Sequence, residues 1–166
     1  MVTIVTAYRL EVIRTKIAEP APPIHSPKDV ARRYTHLAKY DREYLLRLDL
    51  DNRNRIIGEE TVSIGTASAA MFSPREVFIG ALLNGAVRII ILHCHPSGDP
   101  SPSTEDRIVE EKLSDAGELL GVPIMDFLII GEDGRYWSAR DGGDQVKSAD
   151  ATDNAAIDSR GGDEHE

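Results

Sequence analysis

Residues 86–106 read AVRIIILHCHPSGDPSPSTED. The first ten are almost continuously apolar, the pattern of a strand buried on both faces of a sheet. Side chains alternate along a strand, so His93 and His95 share one face and Cys94 takes the other. Pro96 has no N–H to give to a ladder, so the strand stops there and delivers both imidazoles to its C-terminal rim. That rim is where open α/β sheets commonly place their sites. Prolines stiffen the loop that follows, and Gly98 permits one sharp turn. Ser103 then has the character of a helix N-cap, with Asp106 in the first helical turn.

Working outward, the chain alternates strand and helix patterns. IVTAYRLEVIR at 4–14 predicts a strand, and Pro20, Pro22, Pro23 and Pro27 break it off. Ser26-Pro27 followed by DVARRYTHLAKY predicts a capped helix. EYLLRLDL at 43–50 and RIIGEETVSIGT at 55–66 predict a strand pair joined at DNRN, with a bulge expected at Gly58. Ser73-Pro74-Arg75-Glu76 has the form of a capping box opening a helix that Asn84-Gly85 closes. The helix begun at Ser103 runs through Leu120 and stops at Gly121. IMDFLIIG at 124–131 and RYWSAR at 135–140 predict a closing hairpin. These elements predict one α/β domain over residues 27–140, a mixed sheet flanked by helices. Residues 1–26 form a strand and a proline-rich link, and 141–166 an acidic, glycine-rich tail expected to be disordered.

Composition narrows the function classes. The chain has 166 residues, 41% hydrophobic and 28% charged, the balance of a soluble globular domain. Its longest apolar run, near Ile89–Leu92, is far too short for a bilayer, and the N-terminus lacks an export pattern. One cysteine excludes an internal disulfide and fits a cytoplasmic location. The net charge of −9 argues against spontaneous binding to a phosphate backbone. Residues 141–166 hold eight acids and two bases, whereas residues 1–55 hold eleven bases and seven acids. That modest basic excess reads first as a solvated face.

Two histidines on one face can supply two ligands to Zn²⁺, and a catalytic site needs a third protein ligand and leaves one position for water. Asp106 is the natural third. A plain capped helix accounts for Ser103 and Asp106 equally well, and a lone strand-end histidine is usually structural. The coincidence of His-x-His, a stiff loop and a carboxylate favours a metal. Zinc hydrolysis also needs a base, most often a Glu or Asp outside the ligand set. Glu60 is the candidate. Glu59 faces the other side of its strand, and periodicity alone does not choose between them. His25 and His36 read as solvated, and Trp137 as a core anchor. Asp99 reads either as a support for a ligand histidine or as a loop stabiliser.

His93-x-His95-Pro96, six residues, then Ser103-x-x-Asp106 resembles the JAMM signature of the JAB/MPN metalloprotease superfamily. The flanking stretches at 48–66, 72–106 and 117–131 and the closing YWSAR resemble its RadC-like branch. The resemblance implies a curved mixed sheet between helices, laid out like the cytidine deaminases. It implies His93, His95 and Asp106 as zinc ligands and Ser103 as a group that steadies the tetrahedral intermediate. It places the catalytic glutamate in the strand before Gly65-Thr66, which selects Glu60. The deaminase P-C-x-x-C signature is missing, so base deamination is not expected. Cys94 stands where RadC-like proteins usually carry Asn, and alternation turns it from the metal. The helix-hairpin-helix region of full-length RadC proteins and the long insertions of the ubiquitin isopeptidases are not found in the sequence.

The expectation is therefore a Zn²⁺-dependent peptidase or isopeptidase acting on a peptide or protein substrate. The alternative implied by the resemblance is an accessory or DNA-binding protein in DNA repair or in mobile elements. A structural zinc is a third reading. The sequence names no substrate and sets no oligomeric state, and it implies no membrane association.

Overall fold

A computed structural model describes residues 22–65, 73–142 and 146–150. The strand expected at 4–14 lies outside the described residues. The elements are α1 (Pro27–Arg33), a 3₁₀ segment (Thr35–Lys39), β1 (Tyr44–Leu50), β2 (Ile56–Ile64), α2 (Pro74–Asn84) and β3 (Arg88–Cys94). They continue with α3 (Thr104–Leu120), β4 (Ile124–Ile130), a 3₁₀ turn (Glu132–Gly134), β5 (Arg135–Ser138) and β6 (Lys147–Ser148). The six strands lie in the order β2-β1-β3-β4-β5-β6. Only β3 and β4 run parallel, linked through α3; the other neighbours are antiparallel. The α/β domain with a mixed sheet flanked by helices is thus the observed architecture. Among the described residues, no helix is long and apolar enough to cross a membrane.

Alternation along β3 divides the core. Ile90, Leu92 and Cys94 join Val30, Tyr34 and Leu37 beneath α1. Ile89 and Ile91 join Val77, Phe78 and Leu113 beneath α2 and α3. Trp137 is buried in the second cluster, edge-on to Phe127 with Arg107 over its ring, as expected of an anchor.

Several local expectations change on folding. The first helix gives way to 3₁₀ geometry at Tyr34, so its register ends seven residues after Ser26. Ser73 precedes α2, but its side chain makes no cap hydrogen bond; Pro74 at the first position and Gly85 in the left-handed conformation still delimit the helix. The bulge expected at Gly58 is present, and a second register shift lies between Leu45 and Leu46. Described residues outside 27–140 also pack against this domain. Ile24 is core and its N–H bonds to the Asn54 carbonyl. Past Asp141, Lys147–Ser148 form β6 against β5, Lys147 binds Asp141, and Ala149 is buried, whereas residues 151–166 of the expected tail lie outside the described residues. A short backbone ladder and one buried methyl group offset the acidic composition around β6.

One buried polar network lies on the α2/α3 face of β1. Arg47 and Asp49, both 0% exposed, form an ion pair: Nε to Oδ1 at 2.6 Å and Nη2 to Oδ2 at 3.1 Å. Arg47 Nη1 donates to the Val77 carbonyl at 2.6 Å, and Asn84 Nδ2 donates to Asp49 at 2.6 Å. Two glycines make room for it. A Cβ on Gly58 would strike Asn84 and Asp49, and one on Gly80 would strike the Arg47 guanidinium and Glu60. The pair's partners hold that guanidinium still, so it cannot yield.

Two outcomes follow from this packing. Alanine is preferred over glycine in a helix by about 1 kcal/mol, yet Gly80→Ala is expected to lower stability by about 1–3 kcal/mol in urea unfolding, because overpacking outweighs propensity. The second concerns Asp126, a buried carboxyl that accepts from Ser138 and the Arg140 N–H. Burial, only partly offset by those bonds, pushes its pKa up from 3.8 to about 6. The folded state then holds the proton more tightly than the unfolded state, so this group costs stability as pH rises from about 4 to 6. Asp126→Asn should show a shallower fall in stability over that window than the unaltered protein, by on the order of 2 kcal/mol. Parallel slopes would remove Asp126 from the pH dependence.

Candidate metal centre

The end of β3 puts His93 on the α2/α3 side, opposite Leu45 of β1 in the antiparallel register. Its Nδ1 lies 2.9 Å from the Tyr44 carbonyl. A carbonyl only accepts, so Nδ1 carries the hydrogen and Nε2 presents its lone pair. His95, just beyond the strand, is fixed in the same way by the Asp99 carbonyl at 2.7 Å. The backbone of Asp99 supports the ligand histidine, whereas its carboxylate is turned to Ser101.

Ser103 and Asp106 form a full capping box at the start of α3. Ser103 Oγ accepts from the Asp106 N–H at 3.1 Å, and the Ser103 N–H donates to Asp106 Oδ2 at 2.7 Å. The Ser103 hydroxyl also donates to Oδ2, at 2.6 Å, and His95 Nε2 lies 3.2 Å from the same oxygen. Oδ2 is therefore saturated and Oδ1 is the oxygen left over, 3.3 Å from His93 Nε2. The loop between is braced: Gly98 takes φ +71° against the Glu132 side chain, and Gly131 packs on Pro100.

One ligand atom from each of His93, His95 and Asp106 lies within 4.8 Å of the others. His93 Nε2 is buried and makes no hydrogen bond, since its separation from Oδ1 lacks the geometry of one. An orphaned buried nitrogen costs about 1–3 kcal/mol, and here it points at a carboxylate and a second imidazole. Such a set fits a divalent cation. His93 is 1% exposed and His95 15%, so the cluster opens to solvent past His95.

Electrostatics agree. Burial lowers the His93 pKa, against the pull of Asp106 and the Tyr44 carbonyl, and keeps the ring neutral. The hydrogen bond with Asp106 raises that of His95, against burial. Burial raises the Asp106 pKa, but the bonds from His95 and Ser103 and the nearby His93 outweigh it and bring the carboxyl down to about 2.

The remaining candidates divide. Cys94 is buried on the α1 face with Sγ 4.0 Å from the Arg42 carbonyl, and burial raises its thiol pKa, so it lies outside the cluster as alternation requires. Glu59 turns to the α1 face and accepts from Tyr34 Oη at 2.7 Å. Glu60 is on the other face, paired to Arg47 Nη2 at 2.7 Å, and is half exposed. Its partner Arg47 stands opposite Ile91, two residues before His93, so Glu60 lies on the histidines' face but on the edge strand, two strands from β3 and at the level of Ile91. The sequence reading missed Glu43, whose charge is felt at His93, Cys94 and His95. Its signal is the register itself, since the neighbouring Tyr44 pairs with Cys94. Glu43 also lines a cleft of about 380 Å³ with Asp41, Arg42, Gly65 and Pro96, the residue that follows His95 in the chain.

Comparison with known proteins identifies the family of this fold. The profile of the RadC-like JAB domain matches residues 24–144. A UPF0758 protein of Methanosarcina acetivorans is 50% identical over 138 residues, covering 82% of this chain and 58% of that protein. UPF0758 proteins of Desulfitobacterium hafniense and Moorella thermoacetica are each 41% identical, over 74% and 71% of this chain and 54% and 52% of theirs. The chain thus spans a little over half the length of these relatives. With the profile covering most of the chain and half of its aligned residues shared with a relative, the protein belongs to the family of RadC-like JAB domains.

Proposed function

We propose that the protein is a zinc-dependent hydrolase that cleaves an amide bond in a peptide or protein. The observation that carries this reading is the buried His93 Nε2, orphaned beside His95 and Asp106 in a set that numbers three among the described residues. Structural zinc sites are normally closed by four protein ligands, whereas three leave a position open. Zinc held there would act as a Lewis acid and lower the pKa of a bound water towards neutrality.

The chain's own residues supply the rest. The Tyr44 and Asp99 carbonyls hold both imidazoles in the ligating tautomer. Ser103 fixes Asp106 through Oδ2 and keeps Oδ1 directed at the cluster. A scissile amide in the cleft beside Pro96 would approach past His95, the exposed member of the set. Glu60 would take the proton from the attacking water and return it to the leaving amine. The Ser103 hydroxyl, at the mouth of the cluster, would turn to the developing oxyanion.

Purified protein is expected to hold one zinc per chain by elemental analysis, and zinc at a hundredfold over its Kd should stabilise it by about 2.7 kcal/mol. His95→Ala should lose both effects; unchanged zinc content in that variant would sink the site. The raised His95 pKa sets the sign of the pH dependence: below it a proton competes for Nε2, so zinc affinity falls as pH is lowered. For the chemistry, cleavage of a peptide library is read by mass spectrometry. Glu60→Gln should retain zinc and lose about 10²–10⁴-fold in rate. Cleavage equal to that of the unaltered protein would exclude Glu60 as the base.

A further inference from the structure

Glu60 reaches its place through a residue with no expected role. The Arg47 guanidinium is wholly buried, and three of its contacts are immobile: both Asp49 oxygens and the Val77 carbonyl. Asp49, equally buried, cancels its charge. The second hydrogen of Nη2 meets Glu60 Oε2 at 2.7 Å. Glu60 itself is 49% exposed, so without this contact its side chain would sample several rotamers in water. Helix α2 closes the arrangement from above, where Gly80 leaves no more room than the Arg47–Glu60 pair requires.

Stability alone does not account for this construction. A half-exposed ion pair contributes little to folding, and a buried pair such as Arg47–Asp49 can often be replaced by apolar residues without loss. What the network does achieve is to fix one carboxylate oxygen on the face that carries His93. We propose that Arg47 is a positioning residue, which holds the Glu60 carboxylate in a single orientation on the metal-binding face of the sheet. The idea rests on the hydrolase reading only in giving that carboxylate its use. Its structural content is testable without turnover.

The test uses full-length protein labelled with ¹³C at glutamate Cδ, with the Glu60 signal assigned by its loss in Glu60→Gln. Co²⁺ is added as a paramagnetic probe suited to imidazole and carboxylate ligands. Three proteins are compared: the unaltered chain, Arg47→Met/Asp49→Leu, which leaves no buried charge unpaired, and Arg47→Lys, which keeps the charge but loses the fork. In the unaltered chain Co²⁺ should move the Glu60 signal to one well-defined position. In both variants, with metal content unchanged, the displacement should fall by at least half. An equal displacement in all three, or none in the unaltered chain, overturns the proposal. With an amide substrate in hand, the variants should lose at least tenfold in kcat with KM within about twofold, and unchanged kcat would also overturn it. A signal that responds as expected in a protein that cleaves no amide would leave Arg47 in its role and remove the hydrolase reading.

Discussion

The period-two alternation of β3 is the constraint on which the rest depends. Its apolar residues are buried on both faces, so two separate cores fix one register. A slip of one residue would carry Ile90 and Leu92 to the α2/α3 side and exchange His93 with Cys94. The geometry of the candidate cluster is thus not a delicate addition to the fold. It shares its specification with the most strongly determined strand in the sheet, and the Tyr44–Cys94 pairing across β1 carries that specification to the Tyr44 carbonyl on His93.

The second element, Ser103 to Asp106, combines two duties that compete in most proteins. An N-cap satisfies orphan N–H groups, and a ligand must hold an oxygen ready for a cation. Here the two oxygens of Asp106 divide the work, Oδ2 for the cap and Oδ1 for the cluster. Loss of the serine would therefore be felt twice, as a frayed helix start and as a loosened carboxylate.

Much of this is legible from sequence because it is local. Strand alternation, Pro96, the spacing to Ser103 and the box closing on Asp106 all lie within twenty-one residues, and each has a mechanism that needs no distant partner. The parts that are not legible depend on pairing across the sheet. Arg47 and Asp49 look like the polar positions of a half-exposed strand, yet both are buried, because α2 lies over that face and supplies Val77 and Asn84 as partners. Periodicity leaves Glu59 and Glu60 equivalent, and in the fold Tyr34 and Arg47 claim one each. Glu43 is an unremarkable acid before Tyr44 until the β1–β3 register brings it beside the histidines. Composition alone likewise hides β6, where a few backbone bonds order an acidic stretch.

The saturation of Asp106 Oδ2 has a consequence for how the site handles exchange of its occupants. Many metal-binding carboxylates shift between one-atom and two-atom contact as other ligands come and go, and so buffer the ion's coordination number. In Asp106 the Ser103 N–H and hydroxyl both occupy Oδ2, so a cation held by this cluster would meet Oδ1 alone. A molecule leaving such an ion would then be replaced from solvent or by the next arrival, and not by a second oxygen of Asp106.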